Sequence, residues 1–386
     1  MAQEDESVAS PGKEIRKLLQ DHGWTQDDLA RILKRPLPTI NQIIQGKRAI
    51  TPDMAIVLAA AFGTTPEKWV SMEATYRLSL AKANPDPVQK RAKLYTYAPI
   101  KDMQRRLWIK QTDAIEEQEQ IVCQFFEVNS LDEEPIITGV MRESIQSSKL
   151  NPSQKAWCFR AKHLAKALYV NPFNKMASNQ ILSQLLELAT YPEETRHVSK
   201  ILANFGIRFL VIEPLSSSRI DGAAIWLDAT SPVIVLSLRY DRIDAFWFTL
   251  MHELSHILHG DASIDDALFS DGVQIPSIAK DDIERRADED AAASLIPPDK
   301  LSSFILRVSP LYSKDRINRF ANRLKIHPGI IVGQLQYRGE ISYSANREML
   351  VKVREIVANS TVTDGWGRIV TTNVNQGAKN VIKKEN

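Results

Sequence analysis

Phe246-Trp247-Phe248-Thr249-Leu250-Met251-His252-Glu253-Leu254-Ser255-His256-Ile257-Leu258-His259 is the stretch on which the reading of this 386-residue chain turns. Its apolar positions recur at helical spacing, and Phe246 to Met251 predict a deeply buried helix. His252 and His256 are four residues apart, so they share one face, ~40° from each other around the axis. Two neutral imidazoles so placed can reach one cation, and zinc takes such ligands readily. Glu253 stands beside the metal rather than on it, where a carboxylate can take a proton from water. The competing reading is a core helix with two buried, hydrogen-bonded histidines. A third ligand on another element separates the two.

Residues 283–297 offer that ligand. Glu284 and Asp288 lie four apart on one helical face, with Ala287 and Ala291 leaving room beside them. Glu284 is the expected third ligand, and Asp288 the carboxylate that hydrogen-bonds the distal nitrogen of a ligating histidine. A fourth position would stay open for water. Glu289 and Asp290 read as solvated. His259 follows His256 by three residues, the wrong spacing for a third histidine ligand, and reads as structural.

Outward from this helix the texture varies. Residues 206–212, 223–227 and 232–238 are short apolar strands, and 241–258 and 281–295 are helices, the second stopped by Pro297-Pro298. Residues 88–200 read as mostly helical, with the clearest periods at 101–126 and 154–169, and as a spacer or packing domain. Residues 1–12 are polar and expected to be disordered, and residues 346–386 read as a C-terminal tail. The expected division is 13–83, 88–200 and 201–345, in a mainly α (α+β) chain with a small sheet.

Residues 205–343 resemble the ImmA/IrrE family of zinc metallopeptidases. The resemblance is carried by Ile220-Asp221-Gly222-Ala223-Ala224, Leu238-Arg239-Tyr240-Asp241-Arg242, Phe248 to His256, and Ile283-Glu284-x-x-Ala287-Asp288 ending in Ile296-Pro297. Where the family often has Phe-Ala, this chain has Asp290-Ala291. The resemblance implies a zincin-like peptidase domain with Zn2+ on His252, His256 and Glu284, and Glu253 as general base. The reaction implied is metal-assisted peptide hydrolysis. Tyr240 and His327 are candidates for the donor that meets the oxyanion.

The other end of the chain carries a different pattern. Thr25 is placed to cap a helix opening Gln26-Asp27-Asp28-Leu29-Ala30, with Asp28 at the capping-box position. After a turn at 34–36, residues 37–46 form a second helix. Ile40, Ile43 and Ile44 face inward, and Thr39, Asn41, Gln42 and Gln45 face out. From Arg31 to Arg48 every charged residue is basic: Arg31, Lys34, Arg35, Lys47 and Arg48. Outward polar groups on a second helix, with basic residues nearby, suit base edges and phosphates. A solvated charged rim is the alternative.

Residues 14–82 are similar to Xre/Cro-type helix-turn-helix regulators, and closely to the HigA antitoxins. The matching pieces are Trp24 to Ala30, Pro36 to Arg48, Ile50-Thr51-Pro52, and Leu58-Ala59-x-Ala61-Phe62-Gly63-Thr64-Thr65-Pro66-x-x-Trp69. The resemblance makes Gln26, Thr39, Asn41, Gln42, Lys47 and Arg48 the expected contacts to a DNA operator, and a DNA-binding homodimer would fit the class. The turn glycine of many such domains is Lys34 here, and Leu37 and Pro38 stand where polar base-readers are common. Residues 317–339 echo the same spacing, and packing helices are the favoured reading there.

The net charge of +2 excludes a whole-molecule pull toward nucleic acid or membrane, so such contacts must be local. Cys123 and Cys158 make no disulfide framework, no apolar run of membrane length exists, and the acidic start has no signal region; a cytoplasmic protein without membrane contact is expected. Together the resemblances imply a DNA-binding regulator with a zinc endopeptidase that cleaves a repressor, an antitoxin or itself. The alternative is a non-catalytic, antitoxin-like transcription factor whose zinc fold is structural or ligand-sensing.

Overall fold

The computed structural model describes residues 10–81, 86–137, 139–143, 150–261 and 277–364. They divide into two compact units, Met1–Asp86 and Pro87–Asn386.

The first unit is five helices: α1 (Pro11–His22), α2 (Gln26–Ile32), α3 (Leu37–Ile44), α4 (Pro52–Phe62) and α5 (Pro66–Leu80). Hydroxyl side chains set four of the starts. Ser10, Thr25, Thr51 and Thr65 each accept a hydrogen bond from a backbone N–H of the first turn, which satisfies an otherwise orphaned donor. Thr25 and Asp28 complete the expected capping box. Ile15, Leu29, Ile40, Ile44, Leu58 and Trp69 fill the centre. Lys34 sits at φ 50°, the left-handed turn that glycine adopts freely. Pro11 and Gly12, placed in the expected disordered start, belong to α1; residues 1–9 lie outside the described set.

The second unit runs α6 (Asp86–Tyr97), α7 (Ile100–Arg105), α8 (Ile115–Phe125), β1 (Gly139–Glu143), α9 (Pro152–Lys166), α10 (Ser178–Glu187), α11 (Val198–Asn204), β2 (Arg208–Val211), β3 (Ile220–Trp226), β4 (Pro232–Leu236), α12 (Ile243–His259), α13 (Ser277–Leu295), α14 (Pro298–Val308), α15 (Lys314–Leu324), α16 (Pro328–Tyr337), α17 (Arg354–Ala358) and β5 (Val362–Thr363). The sheet order is β1-β3-β4-β2-β5. β3 is antiparallel to β1 and β4, and β2 is parallel to β4 and β5.

The sheet is buried on both faces, which is why its strands read as continuous apolar runs. Ile234 and Leu236 face one core, with Phe246, Trp247, Leu250 and Leu254 of α12. Val233 and Val235 face the other, with Trp157, Phe159 and Leu164 of α9. Each large side chain so buried contributes roughly 1.5–3 kcal/mol before entropy. Residues 88–200, expected as a spacer or packing domain, pack: they cover one sheet face, lend it β1, and send α10 and α11 to the opposite core. The expected period at 101–126 is broken at Leu107 (φ 57°), where Arg106 donates to the carbonyls of Glu213 (2.7 Å) and Pro214 (2.9 Å).

The expected tail is also part of this unit as far as Asp364. Asp241 accepts from the backbone N–H of Val353 and Arg354, and β5 extends the sheet beside β2. Polar anchors of this kind leave no apolar period to read. Residues 365–386 lie outside the described set. The echo at 317–339 is packing, as favoured: seven of the ten residues of α16 are buried, and it packs against α12.

Candidate metal centre and nucleic-acid interface

α12 places His252, Glu253 and His256 at full burial, between 0% and 1% exposed. The Nε2 atoms of His252 and His256 face each other at 3.1 Å. Glu284 reaches over from α13, its Oε2 3.3 Å from His252 Nε2 and its Oε1 3.8 Å from His256 Nε2. The three ligand atoms all lie within 4.8 Å of one another.

The far side of each ring explains the near side. His252 Nδ1 is 2.9 Å from Asp288 Oδ1, and His256 Nδ1 is 2.9 Å from Asp261 Oδ2. An ionised carboxylate only accepts, so each Nδ1 carries the hydrogen and each Nε2 presents a lone pair. Two lone pairs and a carboxylate then point at one place, and Glu284 Oε1 is buried without a hydrogen bond. Acceptors repel at such distances unless a cation stands between them. Ligands around a tetrahedral zinc at ~2.05 Å are about 3.3 Å apart, close to the separations found. The carboxylates of Glu284, Asp288 and Asp261 lie against the two imidazoles, and Arg286 donates to Asp261 at 2.5 and 2.6 Å. The residues fit a zinc ion.

Two backbone features make the arrangement possible. Gly222 on β3 is where an added Cβ would come within 2.7 Å of Glu253 Oε1, so only glycine lets the strand and that carboxylate approach. Gly260 closes α12 in the left-handed conformation (φ 80°), and Asp261 N–H returns to the His256 carbonyl at 2.9 Å. That turn sets the Asp261 side chain under its histidine. Burial works to raise the Asp261 carboxyl, but hydrogen bonds from His256 and Arg286 outweigh it and hold the group below its usual value.

Asp261 and Gly222 were not singled out from the sequence. A glycine immediately after a helix is the usual signal of a left-handed cap, and it would have pointed to Asp261. Asp290 also differs from its expected solvated role: it accepts from Ser255 Oγ at 2.7 Å and stands 2.9 Å from His259 Nε2. His259 thus binds α13 rather than the metal centre. His327 is no part of the site. It caps α16, its Nδ1 accepting from Gly329 N–H, and burial pushes its pKa down. Tyr240 does line the cleft of about 930 Å³ that opens on Glu284 and Asp288, together with Arg242, Phe248, Thr249, Tyr337 and Tyr343.

In the first unit, Gln26, Gln42, Lys47 and Arg48 are exposed, whereas Thr39 and Asn41 are half-buried. Asn41 Oδ1 is enclosed without a hydrogen bond, so that atom is turned away from solvent. Arg31 is paired with Asp27 at 2.8 Å. Among the described residues, Lys34, Arg35, Lys47 and Arg48 have no carboxylate partner.

A helix-turn-helix family model matches residues 15–69. Virulence-associated protein I of Dichelobacter nodosus is 33% identical over 73 residues, which cover 19% of this chain and 68% of that protein. The chain belongs to the helix-turn-helix family. The helix-turn-helix domain is also similar to the uncharacterized HTH-type transcriptional regulator YddM of Escherichia coli (strain K12), 29% identical over 76 residues, or 20% of this chain and 81% of that protein. Among solved structures, the Coxiella burnetii addiction-module antidote of the HigA family is 33% identical, covering 19% of this chain and 82% of its own (TM-score 0.19). The Pseudomonas aeruginosa antitoxin HigA, solved with the higBA promoter, is 34% identical over 20% of this chain and 87% of its own (TM-score 0.20). In the helix-turn-helix domain of this chain, α2 and α3 supply the two helices of the motif, and Lys34 makes the turn between them.

Proposed function

We propose that the chain is a DNA-binding regulator of the Xre/HigA type joined to a zinc-dependent endopeptidase of the ImmA/IrrE type, and that it cleaves a repressor or antitoxin, or itself. The convergence of His252, His256 and Glu284 around one point, with Glu253 buried next to His252 on the same helix, supports this most directly. His252, His256 and Glu284 would hold the zinc ion. When bound, it would supply a Lewis acid for a peptide carbonyl and lower the pKa of a water.

The chain's own groups then have separate tasks. Asp288 and Asp261 fix the orientation and tautomer of the two imidazoles. Glu253, next to His252, accepts a proton from water at its carboxylate and returns it to the leaving amine. α12 and β3 exclude bulk water from that carboxylate, and the cleft over Glu284 gives an extended chain its way in. In the helix-turn-helix domain, Gln26, Thr39, Asn41 and Gln42 are the proposed readers of an operator. Lys34, Arg35, Lys47 and Arg48 are proposed to meet phosphates.

The test is co-expression with the regulatory proteins encoded beside it, wild type against Glu253→Gln, reading fragment masses. The expected result is cleavage by the wild type alone, while both forms bind zinc and retard operator DNA equally. Intact partners and an intact chain with the zinc-loaded wild type would leave a regulator whose metal is structural.

A further inference from the structure

We propose that the cleft beside the metal centre holds a side-chain subsite about three residues along the substrate from the ion, that it takes a large apolar side chain, and that Tyr337 and Tyr343 set this preference. The inference rests on the peptidase reading above and names the substrate class of that site.

One face of α13 lays out the cleft. Glu284, Asp288, Ala292 and Leu295 all line it, at the spacing of a single helical face. The face changes character along its length. Glu284 and Asp288 serve the metal centre, Ala292 is small, and Leu295 is followed by Ile296, so the far end is apolar. At 1.5 Å per residue, Asp288 and Leu295 are about 10 Å apart along the axis. An extended chain covers that in roughly three residues.

α16 closes on the same stretch. Gln334 Nε2 donates to the Ala292 carbonyl at 3.1 Å, between the metal end and the apolar end of that face. Tyr337 lies one turn beyond Gln334 on α16 and lines the cleft, as does Ile330 one turn before it. Gly333 allows the approach to α12, because a Cβ there would come within 2.4 Å of Asp244 Oδ2.

A buried amide explains how the residues after α16 are held. Gln336 is 2% exposed. Its Oε1 accepts from Arg242 at 3.2 Å, and Arg242 is paired with Asp244 at 2.6 Å. Its Nε2 donates to the carbonyls of Ala345 at 3.1 Å and Tyr343 at 3.5 Å. A buried polar group satisfied at both ends fixes the backbone it meets. Tyr343 is thereby placed on the cleft from a pinned main chain, yet its side chain and that of Tyr337 are more than half exposed. Two open phenol rings beside an apolar floor present large apolar surface with polar tips left in water. Such surface rewards a bulky apolar side chain and gives nothing to a glycine or a carboxylate.

The experiment uses the full-length, zinc-loaded chain and tripeptides capped with a hydroxamate, in both chain directions. The hydroxamate takes the open position of the ion, and the residue farthest from it is Phe, Leu, Gly or Asp. Calorimetric titration of wild type is expected to show Phe and Leu binding on the order of tenfold more tightly than Gly in one chain direction, with Asp no tighter than Gly. Tyr337→Ala and Tyr343→Ala are each expected to shrink that ratio to about threefold or less. Both rings are exposed, and melting curves check that the variants fold.

Four compounds that bind alike in both directions, an Asp compound that binds tightest, or a Phe preference that both tyrosine variants keep in full overturns the inference. A chain that shows the preference but cuts no partner on co-expression keeps the subsite and loses the peptidase. A chain that cuts a partner yet binds the four alike loses the subsite alone.

Discussion

Gly222 has no side chain, and Glu253 depends on that. An alanine there would put its Cβ 2.7 Å from Glu253 Oε1 and 2.8 Å from Thr249 Cγ2. Gly222→Ala is expected to cost about 1–3 kcal/mol, the usual range for overpacking a core, and to lower turnover by displacing the general base. Zinc affinity should change little, because the atoms nearest that position belong to Glu253 and Thr249 rather than to a ligand. Urea unfolding and a zinc titration on the same variant check both halves; full stability with a normal Glu253 would contradict the contact. His252 and His256 could be read from sequence because helical spacing alone puts them on one face, and Glu284, on another helix, because its own spacing to Asp288 and the family resemblance single it out. Gly222 and Asp261 act through the path of the backbone, a strand passing close by and a left-handed turn. Spacing along the chain carries no record of the first, and only Gly260 after the helix signals the second.

At the scale of elements, the strands β2, β3 and β4 and the helices α12 and α13 were legible because long apolar runs and helical periods are local. β1 and β5 were not. Gly139-Val140-Met141-Arg142-Glu143 has no strand period, and β5 pairs over two residues; both exist because a neighbouring strand offers an edge. The packing of α8 on α9 was equally hidden, since a carboxylate beyond one helix end pins it. Glu127 takes Lys162 Nζ and Lys166 Nζ of α9, each at 2.6 Å. Burial raises the Glu127 carboxyl, yet the two ammonium groups outweigh it and bring the pKa down to about 2. A folded pKa below the unfolded one gives stability that is present above the unfolded value of 4.5 and lost as pH falls toward 2. Wild type is therefore expected to exceed Glu127→Gln in stability at neutral pH, with the gap narrower at pH 3 and gone only below the folded value of about 2. Chemical denaturation at both pH values measures it, and a gap that widens in acid would contradict the pairing.

The whole molecule joins two units, each with its own core. The stretch matched by the relatives is about a fifth of this chain; the proposed chemistry belongs to the remainder. On this account the net charge of +2 is a poor guide to partners, because the proposed DNA contacts use a few unpaired cations and the metal centre gathers carboxylates. Both are local arrangements that a sum over the chain erases. The middle residues, silent in sequence, complete the three-layer packing that supports α12. Everything proposed for this unit depends on two imidazoles and a carboxylate sharing one cation. Chelator competition on the purified chain tests that most directly. One zinc ion per chain is expected, lost in the His252→Ala/His256→Ala variant and sharply weakened by Glu284→Ala. A wild-type chain that retains no more zinc than the double-alanine variant would contradict the account.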